Sequence, residues 1–275
     1  MNNSTKLIEK IFRDTLIIFL LSMFVAIVGN VVESAITGNF LGTKAIAALG
    51  MTMPYQKFCI IFSVVITAGM QILCSRSLGS GNLREANEFF SIAVTAAVIV
   101  AVLIMSGTIL FTEQIADILG AKASLGEIRT LTIDFLKAFS LGLPAMAMFA
   151  TLMPIMQLDG DKQRAIISAV VLSGCDIIGD LLVVFVFKGG LWEIGFVTAI
   201  SHWIAAGFLI LHFFKPNASF KFLREVVSIS HLRKIILIGS PMSVGLGAGV
   251  LKVGLFTRTA VALAGAEGVA ALTAD

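Results

Sequence analysis

Charged residues are scarce in this sequence. Asp, Glu, Lys and Arg together make up 13% of the 275 residues, whereas soluble domains average about 25%. Hydrophobic residues reach 57%, and the mean hydropathy is +0.98. A water-soluble fold could not keep this much apolar surface away from solvent, so the composition excludes an ordinary soluble domain and favours a membrane protein.

Cysteine is also rare. Cys59, Cys74 and Cys175 are odd in number and show no CxxC or Cys/His spacing, which argues against a disulfide framework and against a zinc site. We therefore expect free thiols, no metal site and no organic cofactor. No HExxH motif or nucleophile-and-base pattern indicates an enzyme. The net charge is only +3, and the basic residues form no stripe interleaved with aromatics, so a nucleic-acid partner is not expected.

Long apolar stretches recur along the chain. A helix of about twenty residues crosses a hydrocarbon core of about 30 Å. Hydropathy and the intervening polar segments predict seven spans, at 15–36, 45–74, 89–111, 131–156, 165–187, 191–214 and 232–263. The first run is too long for a signal-peptide core and lacks a cleavage signal, so we expect it to be retained. The predicted fold is an all-α membrane protein, with the lipid bilayer as its surroundings.

An internal repeat predicts the domain organisation. FLGTKAIAALGMT (40–52) recurs as LAGAEGVAALTAD (263–275), at an offset of 223 residues (265 − 42 for the glycines). We therefore expect a six-helix lobe at 1–214, a basic cytoplasmic linker at 215–231, and at 232–275 the first helix of a second parallel repeat, with an eighth helix beginning near the end. Two such units need about 450 residues, so we expect a C-terminally truncated chain. The alternative is chance similarity between Gly/Ala-rich segments.

The distribution of Lys and Arg predicts the orientation, because short cytoplasmic loops are enriched in both. If the N-terminus is inside, twelve basic residues fall on inner segments, Arg76, Arg84 and Lys162 among them, and six on outer ones, including Lys44 and Lys188. We expect a multi-pass protein of the cell (inner) membrane with a cytoplasmic N-terminus.

Two acids lie deep in the fifth predicted span. Asp176 and Asp180 are four residues apart and therefore share one helix face, which Ser173 extends by a turn. A charge at that depth costs roughly 2.5–3.5 kcal/mol, and two neighbouring carboxyls disfavour double ionisation. Such acids are usually functional, and we expect them to bind a proton or an ion. The alternative is that they hydrogen-bond neighbouring helices or line a passive water pocket.

A second polar cluster lies in the first span. Glu33 is flanked by Asn30, Ser34 and Thr37, which form a polar strip on an apolar helix. Glu33 could simply reach water at the interface, but ion pathways are usually built from carboxylates on different helices, so we place it with the fifth-span acids. His202 in the sixth span either joins this network or is a packing residue.

Several motifs resemble, in order and spacing, those of the multidrug and toxic compound extrusion (MATE) family. They are VVESAITGNFLGTKAIAALG (31–50), CSRSLGSGNLREAN (74–87), CDIIGDLLVVF (175–185), WEIGFVTAISHW (192–203) and IGSPMSVGLG (238–247). The resemblance implies two six-helix lobes around a central cavity, and export of organic cations or drugs in exchange for protons or sodium ions. It places Glu33 on the family's first-helix acid, and Asp176 and Asp180 on its fifth-helix Asn/Asp pair.

The sequence departs from the family pattern in several places. Glu33 replaces an Asp and Asp176 replaces an Asn, and the additional carboxylate favours protons over sodium. The first predicted helix contains no proline, because the first proline in the sequence is Pro54 in the second span. Gly249 stands where some members carry a glutamate in the seventh helix. We predict a secondary antiporter with Glu33, Asp176 and Asp180 as coupling residues and Asn30, Ser34, Thr37, Ser173 and His202 as possible cavity lining. The alternatives are a lipid or oligosaccharide flippase of similar architecture and an inactive truncated protein.

Overall fold

The computed structural model describes residues 3–215, 218–223 and 228–274, and this part of the chain contains helices and turns but no strand. Its α-helices are α1 Asn3–Ile36, α2 Thr43–Gly79, α3 Leu83–Leu110, α4 Thr112–Leu119, α5 Glu127–Ser140, α6 Leu143–Leu158, α7 Lys162–Leu182, α8 Leu191–Ile210 and α9 Ile229–Ala274. Six of these described helices are long and apolar enough to cross a membrane, and the bent pair α5–α6 makes a seventh if it counts as one span. The predicted all-α membrane fold is confirmed. Parts of the predicted linker, 216–217 and 224–227, lie outside the described residues, as do 1–2 and 275.

The fourth predicted span is not one straight helix. The chain breaks after Ser140 and resumes at Leu143 with a bend of 49° between α5 and α6. Pro144 has no backbone N–H with which to continue the helical hydrogen bonds across this point. Gly142 also approaches α8 so closely that a Cβ there would lie 2.7 Å from Ala199 Cα. The prediction of a continuous helix over 131–156 was therefore wrong, because a proline and a close helix crossing together divide it.

The short helix α4 was not predicted. Its side chains alternate between the lobe and the surface, with Ala116 buried and Ile118 64% exposed. Arg129 at the start of α5 pairs with both Glu113 and Asp117 of this helix. The hydropathy profile missed α4 because an eight-residue amphipathic helix is too short to register as a span.

The last helix also differs from the prediction. Gly42 ends the first span with a φ of +87°, a conformation that favours glycine. The repeat predicts a similar break near Gly265 and the start of an eighth helix after it. The structure has one continuous helix, α9, through to Ala274. The two segments are therefore similar in sequence but differ in structure, and the expectation of an eighth helix beginning near the end was wrong.

α9 packs along α2 and also contacts α3. Two glycines lie at the crossing with α2. A Cβ on Gly69 would lie 2.0 Å from the carbonyl oxygen of Ile235, and a Cβ on Gly239 would lie 1.9 Å from that of Val65. The two backbones touch because neither residue has a side chain, as is common for small residues at membrane helix crossings.

The helix ends lie on two faces of the bundle. The linker face comprises residues 76–84, 158–162 and 218–223. Ser219 joins these segments, because its carbonyl oxygen accepts a hydrogen bond from Asn87 Nδ2 and its backbone N–H donates to Asp159. The loop face comprises 37–44, 111–127 and 187–191, where Lys44 pairs with Glu127 and both line a cavity with Gly190.

The two faces provide a test of topology. Arg84 on the linker face and Lys188 on the loop face are both exposed. We expect Arg84→Cys and Lys188→Cys to react with a membrane-impermeant maleimide from opposite sides of the membrane. Labelling of intact cells and of inverted vesicles, in a background without the three native cysteines, measures this. Labelling of both positions from the same side would contradict the bundle topology.

Candidate functional site: a carboxylate cluster between three helices

The three predicted carboxylates come together where α1 and α8 pack against α7. Asp180 is almost fully buried, with 1% of its surface exposed, and Glu33 and Asp176 are half-buried. Glu33 lies within electrostatic range of Asp176, and Asp180 lies within range of both. Helical spacing aligns the two aspartates on α7, and the packing of α1 adds the third carboxylate. Like charges this close in a low-dielectric interior repel one another strongly.

The surroundings of the aspartates are only partly polar. The hydroxyl groups of Thr198 and Ser201 on α8 lie close to Asp176. Asp176 Oδ1 and Asp180 Oδ1 are buried and have no hydrogen-bond partner among the described residues. A buried carboxylate oxygen without a donor is costly, so a proton or a cation would stabilise it.

Only some of the predicted cavity-lining residues turn towards α7. Ser173 lies beside α1, where a Cβ on Gly29 would be 3.7 Å from its hydroxyl oxygen. Ser34 is half-buried, whereas Asn30 is exposed. Thr37 is fully buried, and its hydroxyl has no hydrogen-bond partner within the described chain. The polar strip of α1 therefore turns partly towards α7, with Asn30 on the outer side.

His202 faces a different space from its neighbour Ser201. Its ring Nδ1 lies 2.8 Å from the carbonyl oxygen of Thr198, and the ring lies edge-on to Phe149. It lines an apolar cavity of about 230 Å³ together with Cys59, Ala97 and other residues of α2, α3 and α6. Successive residues on a helix point about 100° apart. Ser201 can therefore reach Asp176 while His202 faces this cavity.

Thr198 and Ser201 were missed by the sequence reasoning. Their spacing of three residues places them on one side of α8, and two hydroxyls in an apolar span are a visible signal. Hydroxyls in membrane helices often bond only to their own backbone, as Thr198 also does to Ile194. Their contact with Asp176 depends on how α8 packs on α7, which spacing does not reveal. Across the described residues, no group of three His, Cys, Asp or Glu is placed to hold a metal ion.

The sequence profile of the MatE family matches residues 12–182, which include most of α1 and the whole of α7 with its aspartates. This chain belongs to the MatE family. The resemblance to MATE transporters that the motifs indicate is thereby confirmed.

Two curated relatives carry the same kind of name. The chain is 26% identical over 254 residues to the multidrug export protein MepA of Staphylococcus aureus (strain NCTC 8325 / PS 47), covering 86% of this chain and 54% of that protein. It is 27% identical over 250 residues to MepA of Staphylococcus haemolyticus (strain JCSC1435), covering 88% and 55%. The chain therefore spans about half the length of the curated relatives it matches.

Solved structures show the same fold. The MATE multidrug transporter DinF-BH, in complex with a dye, superimposes with a TM-score of 0.87 at 20% identity, covering 96% of this chain and 59% of that one. An inward-facing MATE family transporter of the MOP superfamily superimposes with a TM-score of 0.82 at 21% identity, covering 90% and 56%. The MatE chain thus has the fold of one part of these transporters.

Proposed function

We propose that this chain forms the first lobe of a secondary antiporter that exports organic cations in exchange for protons. The observation that carries the proposal is the buried Asp180, which has a carboxylate oxygen without a donor among the described residues and two further carboxylates nearby. The MepA relatives are named multidrug export proteins, and the DinF-BH structure contains a bound dye. Both findings support an organic substrate for the complete protein.

The chemistry of the cluster suggests how coupling works. In the proposed cycle, the negative charge of the lobe interior is high when the carboxylates are ionised, and a cationic substrate is then held favourably. Binding of a proton at Asp180 removes one negative charge, weakens that attraction and lets α1 and α8 pack more closely against α7. The substrate then leaves on the opposite side of the membrane, as alternating access requires.

Asp176 and Glu33 have supporting roles in this proposal. Asp176 has the hydroxyls of Thr198 and Ser201 as polar neighbours, and in this proposal it stays in place while Asp180 exchanges its proton. Glu33 on α1 is a relay or gate, because it connects the movement of α1 to the charge on α7. Sodium remains the alternative ion, since carboxylate and hydroxyl oxygens also bind it. The third carboxylate, where the family resemblance places an amide, favours the proton.

The proposal includes an orientation. The linker face carries Arg76, Arg84 and Lys162, whereas Lys44 and Lys188 belong to the loop face. By the enrichment of basic residues in cytoplasmic loops, the linker face and the N-terminus would lie in the cytoplasm of a cell whose inner membrane holds the protein.

The experiment uses a protein that contains both repeats, expressed in cells that lack their own drug exporters. Ethidium is loaded, and its efflux is followed by fluorescence while either a proton gradient or a sodium gradient is imposed. We expect efflux that requires the proton gradient and continues without sodium. Efflux driven by sodium alone would contradict proton coupling. Absence of ethidium export under both gradients would contradict the antiporter proposal and favour the flippase.

A further inference from the structure

A compact group of charges lies on the linker face, away from the carboxylate cluster. His212 follows α8 and is buried, with 4% of its surface exposed. Its ring Nε2 lies 2.6 Å from Asp159 Oδ2, and its ring Nδ1 lies 3.0 Å from Asp161 Oδ2. Carboxylate oxygens accept hydrogen bonds, so a ring that carries both protons satisfies both contacts. His212 thereby joins the end of α8 to the turn between α6 and α7.

Asp161 is the more connected of the two aspartates. It caps the start of α7 by accepting the backbone N–H of Arg164, and it also accepts from Lys215 Nζ at 3.1 Å. Burial alone raises the pKa of Asp161, but the hydrogen bonds from Lys215, His212 and Arg164 outweigh it and lower the pKa from 3.8 to about 2. Asp161 therefore stays ionised at neutral pH. Its stabilising effect is present above a pH of about 4 and is lost as the pH falls through about 2.

Asp159 faces the chain that leads to α9. Its side chain is 2% exposed, and both carboxylate oxygens accept the backbone N–H of Ser219, at 3.1 and 3.3 Å. The same carboxylate thus accepts from His212 on one side and from the linker on the other. Because the ring holds Asp159 in place, the acceptor for Ser219 is already oriented.

The linker residues 218–223, which we call the strap, dock on the lobe by a regular pattern. The backbone N–H groups of Ser219, Lys221 and Leu223, every second residue, donate to Asp159, Asn87 Oδ1 and Ser91 Oγ respectively. The distances to the last two are both 2.8 Å. The three acceptors therefore hold the backbone of the strap at alternate residues.

The strap also has an apolar anchor. Phe220 is completely buried, and its ring lies edge-on to Phe90 of α3, with 5.6 Å between the centroids. Phe90 in turn stacks on Phe213, which follows His212 directly. Hydrogen bonds and a buried aromatic ring together make this a specific docking site for one segment.

We propose that His212 is a positioning residue that fixes the strap on the first lobe through Asp159, and so holds residues 218–223 against α3 and the turn between α6 and α7. The connection from His212 through Asp159 to the strap lies within this chain, and the proposal does not depend on the transport activity. Its chemistry is a buried imidazole shared by two carboxylates, one capping the helix that carries Asp176 and Asp180 and the other binding the strap. Movement of the start of α7 would therefore be transmitted to the strap.

The test measures exposure of the strap in the purified 275-residue chain, reconstituted in lipid nanodiscs with the native cysteines replaced by alanine. Ala218→Cys is the reporter, because Ala218 is 6% exposed in the docked strap. Gly79→Cys is the matched control on the same face, because Gly79 is exposed and a Cβ there meets nothing within 4 Å. Both are reacted with a maleimide, and the rates are compared with and without His212→Ala.

We expect His212→Ala to raise the labelling rate at Ala218→Cys by about tenfold or more, because two charge-assisted hydrogen bonds are lost. The rate at Gly79→Cys should not change. Asp159→Ala should have a similar effect, and the double variant should label no faster than the faster single variant, because both changes break one connection. An unchanged rate at Ala218→Cys would overturn the proposal. Equal increases in labelling rate at Ala218→Cys and Gly79→Cys would also overturn it, because His212 would then support the whole lobe. Effects of His212→Ala and Asp159→Ala that multiply in the double variant would overturn it as well, because the two residues would then act independently.

Discussion

Asp180→Asn is expected to abolish gradient-driven ethidium export in a protein that contains both repeats. The substitution keeps the shape and the hydrogen-bonding capacity of the side chain but removes its titratable charge. Asp180 is the most deeply buried of the three carboxylates and has the other two as electrostatic neighbours. If it carries the coupled ion, the amide cannot bind or release that ion, and the cycle stops even though the protein still inserts.

Two controls separate coupling from folding. Asp176→Asn is expected to retain much of the export, because it introduces the amide that the MATE resemblance places at this position, and an amide remains polar beside the hydroxyls of Thr198 and Ser201. Ser168→Ala, about two turns before Asp176 on α7, should leave export nearly unchanged, because its hydroxyl donates to the carbonyl oxygen of Ala165 on the same helix. Membrane content of each variant is measured by quantitative blotting, and export is normalised to it.

The opposite result would be informative. If Asp180→Asn exports as fast as the parent protein at equal membrane content, Asp180 is not the ion carrier. If Asp176→Asn abolishes export and Asp180→Asn does not, the roles of the two aspartates are reversed. Either outcome would be inconsistent with the proposed mechanism, because the proposal assigns the essential charge to the more buried carboxylate.

The positions of the apolar spans other than the fourth could be predicted because the bilayer constrains length and polarity so strongly. The acids could be singled out for the same reason, since an ionisable side chain at the depth of Asp180 is conspicuous in an apolar helix. Their proximity within α7 follows from helical spacing alone. The approach of Glu33 required in addition that α1 pack beside α7, which the family resemblance implies but the residue pattern does not.

The missed features all depend on contacts between segments distant in sequence. Thr198 and Ser201 became relevant only through the packing of α8 on α7. In the sequence, His212 looks like an ordinary residue at the end of a span. Its partners Asp159 and Asp161 lie 53 and 51 positions earlier, so the sequence alone does not connect them. The break between α5 and α6 was visible as Gly142 and Pro144, yet hydropathy averages over such a short interruption.

Gly239→Ala is expected to destabilise the chain severely. The added Cβ would lie 1.9 Å from the carbonyl oxygen of Val65, and a backbone oxygen cannot rotate away as a side chain can. The two helices must therefore separate along their crossing, and the packing of α9 on α2 is lost locally. Overpacking of this kind costs about 3 kcal/mol or more when the backbone must move. A loss of that size lowers the midpoint of thermal unfolding by about 10 °C for a chain of this length.

The comparison that isolates the crossing is Gly245→Ala on the same helix. A Cβ at Gly245 meets nothing within 4 Å, so the alanine should be neutral or slightly stabilising through its higher helix propensity, by up to about 1 kcal/mol. Gly69→Ala, on the α2 side of the crossing, should reproduce the loss, because its Cβ would lie 2.0 Å from the carbonyl oxygen of Ile235. Thermal unfolding of the detergent-solubilised 275-residue chain, followed by fluorescence of a fused reporter on size-exclusion chromatography, measures all three. Equal unfolding midpoints for Gly239→Ala and Gly245→Ala would mean that α2 and α9 do not cross in backbone contact. A lower midpoint for Gly69→Ala and Gly239→Ala, but not for Gly245→Ala, would locate the contact between the first lobe and the helix that follows it.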